Sequence, residues 1–379
     1  MTQERKRIAL QITLFTITFI TATVAGYEWT FGQAVLINGI NFEEFRSGLP
    51  YSTSFLLVLT VHEFGHYFTA RWHKIKTSLP YYIPLPPVPL FLGTLGALIR
   101  IRQRIPTSTQ NFDIGIAGPL AGFVAALTLL IYGFLTLPPP EYIFQIHPEY
   151  EKFGLDYAMH VYTPEFLKGG ADILLGDNLL FQFLASMLAD PVRMPNGHEL
   201  MHYPFLFAGY LSLVFTALNL LPIGQLDGGH VVYGLFGARG HRWIATSFFI
   251  TFVFFAGIGV IRPGQAGDDI WWSLPIYVAI LYFTCKGLRW ETQSTVIVAL
   301  AIFLSQYLVA MLLPSFEGFQ TWILFAFLLG RFVGVQHPGA EVEEPLTIGR
   351  KILGWIAIAI LILCFTPTPI KLISYAPTP

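Results

Sequence analysis

The sequence predicts an all-α polytopic membrane protein with about eight or nine transmembrane helices and a small membrane-associated β element. Hydrophobic residues make up 54% of the 379 residues and charged residues only 12%, against about 25% charged residues in soluble proteins. The apolar residues are gathered into runs that reach the length a spanning helix needs, about 20 residues. A proline-rich, alternating segment interrupts these runs once and predicts the β element.

Nine segments are candidate spans, and a basic N-terminal stretch precedes the first. They are 8–26, 52–72, 112–136, 204–224, 244–261, 271–289, 293–313, 320–335 and 351–366. If the chain alternates across the membrane from a cytoplasmic N-terminus, 16 of the 22 Lys and Arg residues are cytoplasmic, in agreement with the positive-inside rule. We therefore predict a multi-pass integral protein of the bacterial cytoplasmic membrane. A cleaved signal peptide in place of the first span is the minor alternative.

Residues 77–105 are predicted to form β structure on the cytoplasmic side. Five prolines between positions 80 and 89 exclude a helix. The stretch Ile99–Ile105 alternates apolar with polar residues, which is typical of a half-buried or edge strand.

The insertion 137–203 carries nine acidic and three basic residues, which suits an extracytoplasmic loop. Its prolines and glycines predict irregular structure with one or two short helices. The net charge of the whole chain is −1, which gives no reason to expect a nucleic-acid partner.

The segment His62-Glu63-Phe64-Gly65-His66 carries the chemistry, because it has the pattern His-Glu-x-x-His in an apolar context. Residues i and i+4 share one face of a helix, so both imidazoles can reach one metal ion. Glu63 is an ionisable residue inside a predicted span, where an unpartnered charge costs at least about 2.5–3.5 kcal/mol. It is predicted to be a general base; a packing ion pair with Arg71 or Arg100 is the alternative.

The pattern occurs twice, since His198-Glu199-Leu200-Met201-His202 also fits it. A catalytic zinc ion needs three protein ligands and an open position. Asp227, which follows the span 204–224, is predicted to be the third ligand and to lie at the membrane depth of the first copy. A helix from His202 to Asp227 would be about 37 Å long, so the second copy is predicted to be a surface loop.

Other polar residues give weaker signals. Asn219 is predicted either to donate a hydrogen bond to an oxyanion or to link helices, and the glycines of Gly118-Pro119-Leu120-Ala121-Gly122 are predicted to allow close helix packing. His230 either supports a ligand or simply begins a helix. The remaining histidines are expected to be solvated: His73, His147, His160, His241 and His337.

With these motifs in hand, the chain resembles the site-2 protease family of intramembrane zinc metallopeptidases, peptidase family M50. The resemblance covers about residues 50–235 and implies a three-helix catalytic core, flanked by a first helix and outer loop at 1–49 and further helices at 236–379. It implies one Zn²⁺ per chain, bound by His62, His66 and Asp227, with Glu63 activating water. It also implies a substrate-binding role for Gly93, Thr94 and Gly96 in a β segment to which an unwound substrate adds as a strand.

The segment 73–111 is too short for the PDZ domain that many bacterial members carry, so the chain resembles a PDZ-less branch. The segment 290–379 is apolar, which predicts further spans at the C-terminal side. The leading hypothesis is a zinc metalloendopeptidase that cuts a transmembrane protein substrate in the bilayer, with or without a prior site-1 cleavage. The alternative is a non-proteolytic homologue or a divalent-metal transporter with the same His-His-Asp site. A transporter usually spreads its ligands along several helices, whereas the ligands predicted here cluster in one His-His-Asp site beside Glu63, which favours hydrolysis.

Overall fold

The computed structural model describes residues 3–86, 88, 91–167, 171–264 and 269–374. Two of the prolines that predicted the β element, Pro87 and Pro89, lie outside these residues. The chain divides into two compact units. The first unit comprises Met1–Arg104, Ala117–Leu218 and Ala359–Pro379, and the second comprises Ile105–Ile116 and Asn219–Ile358. The predicted domain division at 49/50 and 235/236 stays a prediction.

The described residues are mostly helical, and a helix occupies most of each predicted span. The α-helices are α1 (Gln3–Phe31), α2 (Val35–Asn38), α3 (Phe42–Ser47), α4 (Leu49–Trp72), α5 (Ser108–Leu135), α6 (Ile143–Ile146), α7 (Ala158–Val161), α8 (Pro164–Leu167), α9 (Leu179–Leu188), α10 (Pro204–Asn219), α11 (Asp227–Ala256), α12 (Asp269–Cys285), α13 (Thr292–Leu312), α14 (Thr321–Leu328) and α15 (Ile348–Cys364).

Within the described ranges, three helices are long and apolar enough to cross a membrane: α1, α5 and α13. Shorter apolar helices cover Leu179–Leu188, Pro204–Asn219 and Thr321–Val333. Breaks in the helices shorten other candidates. The backbone of α11 leaves helical geometry at Gly237, where φ is +68°, and α14 continues only as a π-helical turn, Leu329–Val333.

The first unit contains the predicted β element, but its second strand is earlier than expected. Strand β1 (Tyr81–Pro84) pairs antiparallel with β2 (Thr94–Leu98). Residues 99–105 form only an isolated bridge, between Thr77 and Ile101, so the predicted edge strand there is wrong. Gly93 turns the chain with a φ of +77°. The Thr94 hydroxyl donates to the Ile83 carbonyl at 2.8 Å, so the pairing of β2 with β1 begins directly after this turn.

The insertion is more ordered than predicted. It contains α6 to α9, three 3-10 turns and strand β3 (Ala171–Leu175), which pairs antiparallel with β4 (Ile370–Ser374). Asn178 begins α9 because its side chain accepts a hydrogen bond from the Phe181 amide at 3.0 Å. Ile143, Tyr150 and Val161 form a buried cluster under the short helices, and this packing replaces the irregular loop that composition indicated.

In the second unit, polar contacts tie apolar helices together. Gln306 of α13 is buried and accepts a hydrogen bond from the Tyr277 hydroxyl of α12 at 2.7 Å. Its amide also donates to the Val253 carbonyl of α11 at 3.0 Å. Asp113 accepts two hydrogen bonds from Arg350, at 2.7 and 2.8 Å. A buried amide that satisfies several partners fixes how neighbouring helices meet.

Candidate functional site

Helix α4 presents the first His-Glu-x-x-His motif at a buried face. It packs closely against α1, because a Cβ on Gly48 would lie 2.0 Å from the Thr23 carbonyl oxygen and one on Gly26 would lie 2.6 Å from the Gly48 carbonyl oxygen. This crossing of small residues is typical of helices that associate in a bilayer. His62, Glu63 and His66 are exposed by only 6%, 6% and 7%.

The two histidines converge as their spacing predicts. The Nε2 atoms of His62 and His66 are 3.1 Å apart, and the ring planes meet at 75°. Two nitrogens that bind one tetrahedral zinc ion at about 2.0–2.1 Å lie about 3.3–3.4 Å apart. The pair therefore fits two adjacent ligand positions of a zinc ion.

Two glycines of α5 make the room for these imidazoles. A Cβ on Gly118 would lie 2.1 Å from His66 Nε2, and one on Gly122 would lie 3.0 Å from the Cβ of His62. The sequence interpretation assigned these glycines to helix packing only. Their i, i+4 spacing, which equals that of the histidines, is the signal that could have connected the two pairs.

In the second unit, Asp227 is the first residue of α11, and two glycines let the helix start against the preceding loop. A Cβ on Gly228 would lie 1.8 Å from the Leu220 carbonyl oxygen, and one on Gly229 would lie 2.3 Å from the Gly224 carbonyl oxygen. A carboxylate at a helix N-terminus is stabilised by the helix dipole. His62 and His66 belong to the other unit, so coordination of one ion by all three side chains stays a prediction.

The remaining predicted site residues have distinct surroundings. Asn219 ends α10 and is half-buried. Gly93 accepts a hydrogen bond on its carbonyl from Thr21 at 2.7 Å, and Thr94 is buried with its hydroxyl 3.0 Å from the Gly96 amide. These contacts shape the turn into β2. A Cβ on Gly96, whose φ is +106°, would lie no closer than 3.9 Å to its nearest neighbour, a carbon of a phenylalanine ring in α10, so the backbone there has open space.

The second copy of the motif is not helical, as predicted, but it is not on the surface. Residues 197–199 form a turn and Leu200–His202 a single 3-10 turn. Glu199 is 2% exposed and His202 is 5% exposed. The prediction of a surface loop is wrong because the insertion has its own core, which covers this turn.

The prediction of a solvated histidine also fails for His241, which is 2% exposed. It lies in the second unit beside His337, which stacks on Tyr233 at 4.2 Å and contacts His230 Nδ1 through its Nε2 at 2.8 Å. Burial, and then the nearby His230, lowers the pKa of His241 to about 4. Burial, followed by His230 and His241, lowers the pKa of His337 to about 3.

Comparison with known proteins gives one family and several plant relatives. The family model of peptidase family M50 matches residues 50–261. The chain is 31% identical over 199 residues to the probable zinc metalloprotease EGY1, chloroplastic, of Oryza sativa subsp. japonica, covering 51% of this chain and 29% of that protein. It is 30% identical over 200 residues to the probable zinc metalloprotease EGY2, chloroplastic, of Arabidopsis thaliana, covering 52% and 31%.

A third relative, the probable zinc metallopeptidase EGY3, chloroplastic, of Arabidopsis thaliana, is 28% identical over 220 residues, covering 55% of this chain and 35% of that protein. The chain thus spans about a third of the length of the curated relatives that it matches. The family match includes the first motif, the glycines of α5 and Asp227.

Proposed function

The chain belongs to peptidase family M50, and we propose that it is an intramembrane zinc metalloendopeptidase that hydrolyses peptide bonds of membrane-spanning proteins. The observation that carries the proposal is the pair of buried Nε2 atoms, 3.1 Å apart, on one apolar helix. Imidazole nitrogens suit zinc, although cobalt or iron would accept the same donors. Regulated intramembrane proteolysis, with or without a prior site-1 cleavage, is the process that such an enzyme serves.

His62 and His66 hold the ion from α4, and Asp227 is the third ligand. The support for Asp227 is its residue type, its position at a helix start and the glycines that bring that start close to the preceding loop. Two imidazoles and a carboxylate leave one tetrahedral position open. Zinc bound there supplies a Lewis acid that acidifies water and polarises the scissile carbonyl.

Glu63 follows His62 directly and is equally buried. Its carboxylate accepts a proton from the attacking water and delivers that proton to the leaving amine nitrogen. The Asn219 side-chain amide donates a hydrogen bond to the oxygen on which negative charge develops. The substrate backbone must be unwound before attack, and the edge of β2 near Gly96 offers it a strand to pair with.

The chain is proposed to cross the membrane eight or nine times, in keeping with the nine apolar segments of its sequence, with the N-terminus in the cytoplasm of a bacterial cell. The distribution of basic residues supports this orientation, and the three span-length helices support a membrane location. Reporter fusions after α5 and within the insertion test it, since the insertion should be extracytoplasmic. A cytoplasmic insertion would contradict the orientation.

Glu63→Gln tests the activity. Loss of the general base should lower cleavage of a model transmembrane substrate by about 10²–10⁴-fold, while the zinc content of the purified full-length protein stays unchanged. Glu43→Gln is the matched control, because Glu43 is an exposed carboxylate in α3. Cleavage that persists in Glu63→Gln would exclude the proposed mechanism. Zinc uptake into vesicles that survives Glu63→Gln but not His62→Ala would favour a transporter instead.

A further inference from the structure

The second His-Glu-x-x-His segment is buried against another histidine of the insertion. The Nε2 atoms of His147 and His202 are 3.3 Å apart. Glu199 Oε2 lies 3.2 Å from His202 Nε2 and 3.7 Å from His147 Nε2. All three residues belong to the first unit. Their donor atoms form a triangle that could hold a metal ion.

The size of the triangle matches a tetrahedral zinc site. For bonds of about 2.0–2.1 Å, adjacent ligand atoms are about 3.3–3.4 Å apart, and the three sides here are 3.3, 3.2 and 3.7 Å. Two imidazoles and one carboxylate are the donors that zinc and other first-row divalent ions prefer, whereas Mg²⁺ and Ca²⁺ prefer oxygen ligands.

Contacts around the triangle orient both rings with Nε2 inward. His202 Nδ1 donates to the Thr30 carbonyl at the end of α1, at 2.7 Å. His147 Nδ1 donates to Glu149 Oε1 at 3.1 Å, and the ring stacks on Tyr150 at 4.5 Å. In metal sites, the second ring nitrogen of a histidine ligand usually donates to a carbonyl or carboxylate in this way.

Glu199 has its other oxygen fixed as well. The Tyr162 hydroxyl donates to Glu199 Oε1 at 2.5 Å, which leaves Oε2 for the triangle. Because both Nδ1 atoms donate hydrogen bonds, the two neutral imidazoles present Nε2 lone pairs to each other and to Glu199 Oε2, and a cation between these three atoms would hold them together.

We propose that His147, Glu199 and His202 bind a second divalent transition-metal ion, with Zn²⁺ as the preferred occupant. The ion joins the short helices at 143–156 to the turn at 199–202, and through Thr30 to the end of α1. One tetrahedral position remains for water. The first histidine of the motif, His198, is not part of this triangle; its Nδ1 is hydrogen-bonded to Asp172 Oδ2 and its ring stacks on Tyr162 at 4.2 Å.

The metal content of the purified full-length protein tests this site. Protein loaded with Zn²⁺ and desalted should contain two ions per chain, and His147→Ala should contain one. The double variant His62→Ala/His66→Ala should also contain one, and the triple variant none. Co²⁺ loaded into His62→Ala/His66→Ala should give visible absorption bands of tetrahedral cobalt, and these bands should disappear when His147→Ala is added.

Two controls separate the site from its surroundings. His198→Ala should keep the ion, although a helical reading of the motif would make His198 a ligand. His160→Ala removes an exposed insertion histidine that stacks on Phe153 and should also keep it. Tyr162→Phe keeps all three ligands but loses the hydrogen bond to Glu199, and it should weaken zinc binding by about 10-fold.

Melting curves show whether a variant that binds no metal is still folded. In chelator, His147→Ala should melt at the same temperature as the wild type, whereas Zn²⁺ should raise the melting temperature of His62→Ala/His66→Ala but not of the triple variant. The proposal is overturned if His62→Ala/His66→Ala binds no Zn²⁺ or Co²⁺, or if its metal survives His147→Ala. The first result would mean that a shared proton holds the triangle, and the second would mean that the ion is bound elsewhere.

Discussion

The residues that position the His62 and His66 imidazoles are glycines of a neighbouring helix. Gly118 and Gly122 of α5 lie directly against His66 and His62. A methyl group added to Gly118 would occupy the space of the His66 ring, and one added to Gly122 would lie 3.0 Å from the His62 Cβ. The same two glycines therefore allow α5 to pack closely against α4 and leave the imidazoles their positions, because a residue with a side chain would take up that space.

Gly118→Ala should therefore weaken zinc binding and cleavage without unfolding the helix. Its Cβ would lie 2.1 Å from His66 Nε2, so the imidazole must move by more than about 1 Å, and displacements of that size cost about 10²-fold in rate. We expect less bound zinc and cleavage reduced at least about 100-fold, measured by metal analysis and a substrate assay.

Gly133→Ala in the same helix is the control, because its Cβ would press only on the flexible end of the Leu206 side chain, at 2.9 Å, while the Leu206 amide nitrogen and the Phe205 Cβ would lie 3.4 Å away. It should retain zinc and cleavage. If Gly118→Ala binds zinc as the wild type does, the glycine does not set the position of His66.

The sequence could predict the pairing of His62 with His66, because helical periodicity alone brings i and i+4 together. The matching i, i+4 spacing of Gly118 and Gly122 was the only signal that these glycines face the pair, since contacts between different helices otherwise leave no local pattern. For the same reason His147, which lies far before Glu199 in the chain, could not be connected to the second motif. The burial of His241 could not be predicted from the sequence, because it depends on packing against His337, which is distant in the chain.

Among the elements, helices were easier to predict than strands. Long apolar runs define helices such as α1 and α13, whereas β2 depends on a turn at Gly93 and β3 pairs with a strand almost 200 residues later in the chain. The alternation at 99–105 was misleading because pairing is decided by a partner strand and not by periodicity alone. In the insertion, the capping residue Asn178 was the local signal for α9.

Asn178→Ala should destabilise the first unit. Asn178 caps α9, and its amide also donates to the Cys364 carbonyl at 2.6 Å and contacts the Thr366 hydroxyl at 3.1 Å. Loss of the cap costs about 1 kcal/mol, and loss of the buried hydrogen bond to the Cys364 carbonyl, which keeps a longer one from the Thr366 hydroxyl at 3.4 Å, costs about 0.5–1.5 kcal/mol more. Thermal unfolding in detergent should therefore begin several degrees lower.

Ser186→Ala is the matched control, because Ser186 is an exposed residue of the same helix whose hydroxyl bonds only the Phe183 carbonyl. It should leave the unfolding temperature unchanged. An Asn178→Ala protein as stable as the wild type would show that α9 does not need its connection to the end of α15.

For the whole molecule, the buried His241 and the half-buried His337 of the second unit predict how stability depends on pH. The pKa values of His241 and His337 are lowered to about 4 and about 3, whereas a histidine in an unfolded chain has a pKa of about 6.5. Above about pH 6.5 both states are neutral and stability is complete. As the pH falls below that value, only the unfolded state takes up protons, so stability decreases until the folded-state pKa values are reached.

The unfolding temperature should therefore fall between about pH 6.5 and 5, above the range in which most carboxylates titrate. Measurements in chelator remove the effect of protons on metal binding. His241→Leu removes one buried imidazole and should flatten the decrease, whereas His160→Leu, at an exposed position of the insertion, should not. A wild-type profile that is flat over this interval would contradict the lowered pKa values of His241 and His337, because proton uptake by these two residues in the unfolded chain should then lower the stability.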